Sequence, residues 1–151
     1  MVLRALELLG LVAPAAGRLE DSREAGRAGE RAACAHLRRR GFRVAGRNVH
    51  VSVGEADIVC LTPDRRSVVI VEVKSRVRRP GQKGASAAIA PESAVDEEKA
   101  RKLREVTRRL RGINAWKSVR IDTVAVEFFV DDSGRVRTEV RHHENSVPVD
   151  S

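Results

Sequence analysis

Three carboxylates and a lysine, Glu55, Asp57, Glu72 and Lys74, lie inside two of the segments richest in β-branched residues, EADIVCLT and SVVIVEVKS. Strand alternation puts Glu72 and Lys74 on one sheet face and Val69, Val71 and Val73 on the other. Between the two segments, Pro63, Asp64, Arg65 and Arg66 carry turn chemistry, so the pair reads as a hairpin in which 62 faces 67. That register sets Asp57 opposite Glu72 and Glu55 opposite Lys74. Two carboxylates about 5 Å apart at an effective dielectric near 20 repel by roughly 3 kcal/mol, which calls for a compensating cation. Converging carboxylate oxygens suit Mg2+ or Mn2+, which also take phosphate oxygens from a substrate. Lys74 would then orient or deprotonate an attacking water, or stabilise a pentacovalent phosphate. The alternative is a solvated ladder of cross-strand ion pairs with no chemistry.

The elements that must position these groups follow from pattern. Asp21 and Ser22 offer capping oxygens to a helix over 22–40 that stops at Gly41. Its inward face is thin, with Ala25, Ala28, Ala32, Ala33 and Leu37, and its outward face is basic. Glu30 sits between the small residues Gly29 and Ala33, where it either adds a third carboxylate from above the sheet or pairs with Arg27 or Arg31. Residues 42–49 alternate as a strand broken near Gly46, and 77–91, with two Pro and two Gly, predict a mobile basic loop. A second helix is expected over 92–111. Its apolar stripe of Val95, Leu103, Val106 and Leu110 passes through Lys99, which either snorkels to the rim or reaches the carboxylates. Strands over 118–129 and 135–142, joined by a turn at 131–134, complete the chain. The order α-β-β-β-α-β-β makes an α/β fold with a mixed β-sheet flanked by helices, because a helical crossover permits parallel pairing. The division expected is an N-terminal extension over 1–18, one domain over 19–147 and a tail over 148–151.

Charge points to a polyanionic partner. The 151 residues hold 29 Lys and Arg against 21 Asp and Glu, a net charge of +8. Aromatics make up only 3%, too few for a surface that stacks successive bases, so backbone recognition is favoured. Arg76, Arg78, Arg79 and Lys83 are the candidate phosphate contacts. Cys34 and Cys60 form no CxxC and read as buried thiols in a reducing, cytoplasmic setting, and no run is long enough for a membrane span. The adjacent His142 and His143 point to opposite strand faces and are expected at the surface rather than as a metal pair.

Taken together, Gly29-Glu30, Gly54-Glu55-Ala56-Asp57-Ile58-Val59, Val71-Glu72-Val73-Lys74, Lys99 and Arg120-Ile121-Asp122 resemble the YraN-like family of small bacterial proteins. That family is similar to archaeal Holliday-junction resolvases and groups with the PD-(D/E)xK restriction-endonuclease-like nucleases. The resemblance covers about residues 24–147 and implies a restriction-endonuclease-like fold. It further implies a Mg2+- or Mn2+-dependent phosphodiesterase core in which Asp57 and Glu72 hold the metal, the Val73 carbonyl assists and Lys74 positions water. Glu30 matches the family's glutamate on the first helix. Ala56 stands where the motif's name has Pro. The expectation is an endonuclease acting on DNA, branched or damaged DNA included. The alternatives are a non-catalytic nucleic-acid binder that keeps the fold, and an RNA-processing nuclease. Junction resolution would need two active sites and hence a homodimer, which no feature of the sequence shows.

Overall fold

In the computed structural model, residues 16–51, 54–82, 95–111, 116 and 118–149 are described. A short 3-10 turn, Ala16–Leu19, precedes helix α1 (Ser22–Arg39). Strands β1 (Arg43–Val51), β2 (Gly54–Leu61) and β3 (Ser67–Arg78) lead to helix α2 (Glu97–Arg111), and β4 (Ser118–Val130) and β5 (Val136–Val147) follow. The sheet order is β1-β2-β3-β4-β5, antiparallel except for the β3–β4 pair, which is parallel. This is the restriction-endonuclease-like α-β-β-β-α-β-β arrangement expected from the sequence.

The capping chemistry forms as anticipated. The Asp21 carboxylate accepts the Arg23 N–H at 2.8 Å, and Gly41 ends α1 with φ of +86°, a left-handed value that glycine adopts without strain. The register of β1 on β2 shifts between Val44 and Gly46, the place where the sequence breaks its alternation. Helix α2 begins at Glu97 rather than at residue 92, because Asp96 caps it by accepting the Lys99 N–H at 2.8 Å. Residues 92–94, and residues 83–91 of the expected loop, lie outside the described part.

β3 is buried on both faces over Val68 to Val71, because α1 packs on one face and α2 on the other. Val69 and Val71 pack with Ala33 and Leu37 of α1 and with Val124, Val126 and Phe128 of β4. Val68 and Ile70 pack on the other side with Ala100, Leu103 and Val106 of α2 and with Val119 and Ile121. Each fully buried Val, Leu or Phe contributes on the order of 1.5–3 kcal/mol relative to exposure, so four consecutive apolar positions fix β3 in the centre. Parallel pairing with β4 runs from Ser67–Ser118 to Arg78–Phe129. That pairing carries β3 three residues past Ser75 and converts the start of the expected loop into strand.

Candidate active site

The β2–β3 ladder pairs Leu61 with Val68, Cys60 with Val69, Val59 with Ile70 and Ile58 with Val71, the register set by the four-residue turn. There it stops. Asp57 and Glu72, next in line, are not a ladder pair, because the Asp57 carboxylate takes the position of a partner strand and accepts the Val73 N–H at 2.8 Å. The hairpin therefore opens where its charged residues begin. The expected facing of Glu55 and Lys74 is not formed either: the Glu55 carbonyl accepts a hydrogen bond from the Lys99 ammonium at 3.0 Å, and its carboxylate lies 3.8 Å from His50 Nδ1.

Glu72 is the most constrained group in this opening. It is 5% exposed, and its Oε2 has no hydrogen-bond partner, although Lys99 Nζ stands 3.3 Å away at ion-pair distance. Lys74 Nζ lies 3.9 Å from the other oxygen and is itself half-exposed. Burial pushes the Glu72 carboxyl up from 4.5 to about 7, helped by the Asp57 charge and a carboxyl–carboxyl hydrogen bond, and opposed by Lys99 and Lys74. Of the two readings of Lys99, the inward one is realised. The i+4 spacing from Val95 and to Leu103 puts Lys99 on the packed stripe of α2, from which it ties Glu72 to the β2 backbone.

Glu30 joins the group from α1. It neither extends to Arg27, which pairs with Glu24, nor stays free: Asn48 donates to its Oε2 at 3.2 Å and Arg47 stands at 3.8 Å. Gly29 brings it there. A Cβ at this position would lie 1.7 Å from the Ser75 hydroxyl oxygen, so only glycine lets α1 rest directly on β3. Glu30, Asp57, Glu72 and Val73 line one cavity of about 530 Å3, together with Ser22, Ala25 and Gly26 of α1 and Ser75, Arg76 and Val77 of β3.

The four expected phosphate contacts divide. Arg76 is exposed and lines the cavity. Arg78 is a correction: it is 5% exposed and donates to Glu127 from Nε at 2.8 Å and from Nη2 at 2.6 Å, and so serves the fold. Burial alone would raise the Glu127 carboxyl, but hydrogen bonds from Arg141 and Arg78 hold it below the usual range. Arg79 is half-buried, its N–H bonded to Gln82, and Lys83 lies outside the described residues.

A second polar cluster forms around Asp122 of the Arg120-Ile121-Asp122 motif. Asp122 is fully buried and accepts from Arg120 at 2.9 and 3.1 Å, from His142 Nε2 at 2.8 Å and from the Asn145 N–H at 2.8 Å. The surface placement expected for His142 is thus wrong, its side chain being 1% exposed with Nδ1 facing Arg40 at 2.7 Å. The signal was present: His142 continues the i, i+2 set of Val136 and Val140, which packs on the α1 side. This cluster holds the irregular β4–β5 register near Thr123 and does not line the cavity. Both cysteines are buried free thiols, and burial raises Cys60 to about 12.

Among the described residues, no group of three or more His, Cys, Asp or Glu is close enough to hold a metal ion, and no described helix is long and apolar enough to cross a membrane. What the site offers a cation is two converging carboxylates, one oxygen of which is buried without a hydrogen bond. Mg2+ and Mn2+ bind through one or two carboxylates plus waters and phosphates, so this donor set fits them.

Residues 29–126 match a family model described as Uncharacterised protein family UPF0102. A UPF0102 protein of Rhodopirellula baltica is 33% identical over 145 residues, covering 89% of this chain and 78% of its own. One from Mycobacterium avium is 36% identical over 124 residues, covering 78% and 84%. One from Pseudomonas aeruginosa is 50% identical over 60 residues, a stretch that spans 40% of this chain and 46% of that relative. The solved structure of Pyrococcus furiosus SfsA in complex with Ca2+ aligns over 82% of this chain and 64% of its own, with a TM-score of 0.43 at 15% identity.

Proposed function

Because the chain belongs to the UPF0102 family and folds as a restriction-endonuclease-like domain, we propose that it is a divalent-metal-dependent endonuclease hydrolysing DNA phosphodiester bonds. One observation carries this reading: Asp57 and Glu72 converge at the mouth of the opened hairpin, with a buried Glu72 oxygen left without a hydrogen bond and two lysines within 4 Å of the carboxyl. Asp57, Glu72 and the Val73 carbonyl would hold Mg2+ or Mn2+, with Glu30 lining the same cavity from α1. When bound, the metal would polarise the phosphoryl oxygen and lower the pKa of water.

The residues of the chain then divide the work. Val73 N–H fixes the Asp57 carboxylate in place, and Lys99 fixes Glu72, so the two oxygen donors are preorganised without a ligand. Lys74, half-exposed beside Glu72, is free to turn to an attacking water or to the developing phosphate charge. Arg76 holds the flanking phosphate at the rim, and the net charge of +8 attracts the polyanion. The domain over 19–147 carries all of these groups, the two free thiols suit a cytoplasmic setting, and a homodimer would supply paired sites for a branched substrate.

The competing reading is a non-catalytic nucleic-acid binder that retains the fold, with RNA in place of DNA as a further variant. It is favoured by the absence, among the described residues, of a third His, Cys, Asp or Glu at ligand distance. Incubating the protein with labelled duplex, flap, four-way and single-stranded DNA and RNA, with Mn2+ or Mg2+, separates the readings. Cleavage by wild type that is lost in Asp57→Ala, Glu72→Ala and Lys74→Ala, with binding retained, supports the nuclease. Binding without cleavage under either metal refutes it.

A further inference from the structure

The contact between α1 and β3 is uneven along the helix. At Gly29 a Cβ would meet the Ser75 hydroxyl at 1.7 Å, whereas at Gly26, one turn nearer the N-terminus, it would meet nothing within 4 Å. Helix and strand therefore touch at Gly29 and part toward Ser22, leaving a wedge whose floor is the carboxylate pair. The cavity of about 530 Å3 occupies this wedge, walled on the helix side by the small residues Ser22, Ala25 and Gly26, with Leu19 and Glu20 at its N-terminal end, and on the strand side by Arg76.

A recess of this volume lies in the range that takes one small-molecule-sized unit, and it is bounded by a helix on one side and a strand on the other. A base inside an intact duplex reaches such a place only by leaving the stack, and the cost of extrusion is least where the nucleotide is mismatched, damaged or already single-stranded. We infer that the α1–β3 wedge is a nucleotide recess and that the DNA this site takes carries an unpaired nucleotide beside the phosphate held by Asp57 and Glu72. The inference rests on the nuclease reading for the position of the phosphate, and it adds the substrate class. Arg76 at the rim would take the adjacent phosphate, while the small helix residues leave room for sugar and base.

Gly26→Leu tests it. Gly26 is half-buried on a helix and a Cβ there meets nothing within 4 Å, so a leucine side chain starts into open space on the wedge side. Fluorescent duplexes that differ only in having a one-nucleotide mismatch, a flap or full pairing are assayed for binding and for Mn2+-dependent cleavage. Thermal melts with and without Mn2+ report the carboxylate site separately. Wild type is expected to prefer the unpaired substrates by about tenfold or more, because full pairing adds the cost of extrusion. Gly26→Leu should lose that preference, keep its binding to paired duplex and keep the Mn2+ shift in melting temperature. Preference in binding without any cleavage keeps the recess and removes the nuclease. Cleavage with equal rates on paired and unpaired DNA, or a Gly26→Leu variant that retains the preference, overturns the recess and leaves the nuclease standing. Neither cleavage nor preference overturns both.

Discussion

Neutralising Glu72 should stabilise the metal-free protein, and the effect should grow with pH. The folded state raises this carboxyl from 4.5 to about 7, by burial first and then by the Asp57 charge. Between those two values the folded protein keeps a proton that the unfolded chain has already released. The contribution of this one group to stability is therefore greatest below about 4.5, falls as pH rises through 7 and levels off above it. A shift of that size corresponds to about 3 kcal/mol of lost stability at most, at 1.36 kcal/mol per pKa unit. Glu72→Gln keeps the shape and removes the charge, and since that shift is already net of the attraction of Lys99 and Lys74, a gain of up to about 3 kcal/mol at pH 8.5 is expected. Urea denaturation of both proteins in EDTA at pH 5 and pH 8.5 measures it. The variant should gain on wild type between the two pH values, and Mn2+ at pH 8.5 should raise wild type far more than Glu72→Gln. A variant less stable than wild type at pH 8.5, together with a wild type indifferent to Mn2+, would mean that Lys99 alone satisfies the carboxylate and that no cation belongs there.

Gly29→Ala should cost about 1–3 kcal/mol in thermal or chemical denaturation, since its methyl meets the Ser75 hydroxyl, and a second change, Ser75→Gly, should restore most of the loss. Arg78→Met should destabilise the fold by about 3 kcal/mol by leaving Glu127 with Arg141 alone, yet leave DNA affinity in a fluorescence titration unchanged. Arg76→Ala should do the opposite, weakening DNA binding and flattening its salt dependence by about one phosphate contact with no change in melting temperature. Neither cysteine should react with a thiol reagent until the protein is unfolded in urea, because both are buried and the Cys60 thiol is raised to about 12.

The parts of the fold that were legible in sequence are those decided locally. The Pro-Asp turn set the β2–β3 register, Asp21 and Gly41 bounded α1, and the i+4 stripe placed Lys99 inward. What was misread depends on partners distant in the chain. Arg78 is in a run of bases that any local reading assigns to solvent, and only the parallel register of β4 brings Glu127, 49 residues on, against it. The i, i+2 spacing from Val136 and Val140 puts His142 on the α1 side, but what holds it buried there is Asp122 and Arg40, both distant in the chain. The facing of Asp57 and Glu72 was half right. Their proximity follows from the register, but the ladder ends one pair earlier because a side-chain carboxylate captures the Val73 N–H.

That capture explains why the site lies at this point of the sheet. β3 has an antiparallel neighbour on one side and a parallel one on the other, and its apolar run from Val68 to Val71 anchors it to both helices. The parallel ladder to β4 continues through Glu72 to Arg78, whereas β2 departs after Val71, so from Glu72 onward β3 is held on one edge only. A buried carboxylate at that first unpaired position is held by Lys99 from α2 and faces Asp57 from the departing strand. α1 approaches from the other side through Gly29 and supplies Glu30. The cleft is thus bounded by elements that make the core, and the charges inside it are fixed by backbone and lysine contacts. Such rigidity is costly where like charges meet, and a divalent cation held by Asp57 and Glu72 would offset that cost.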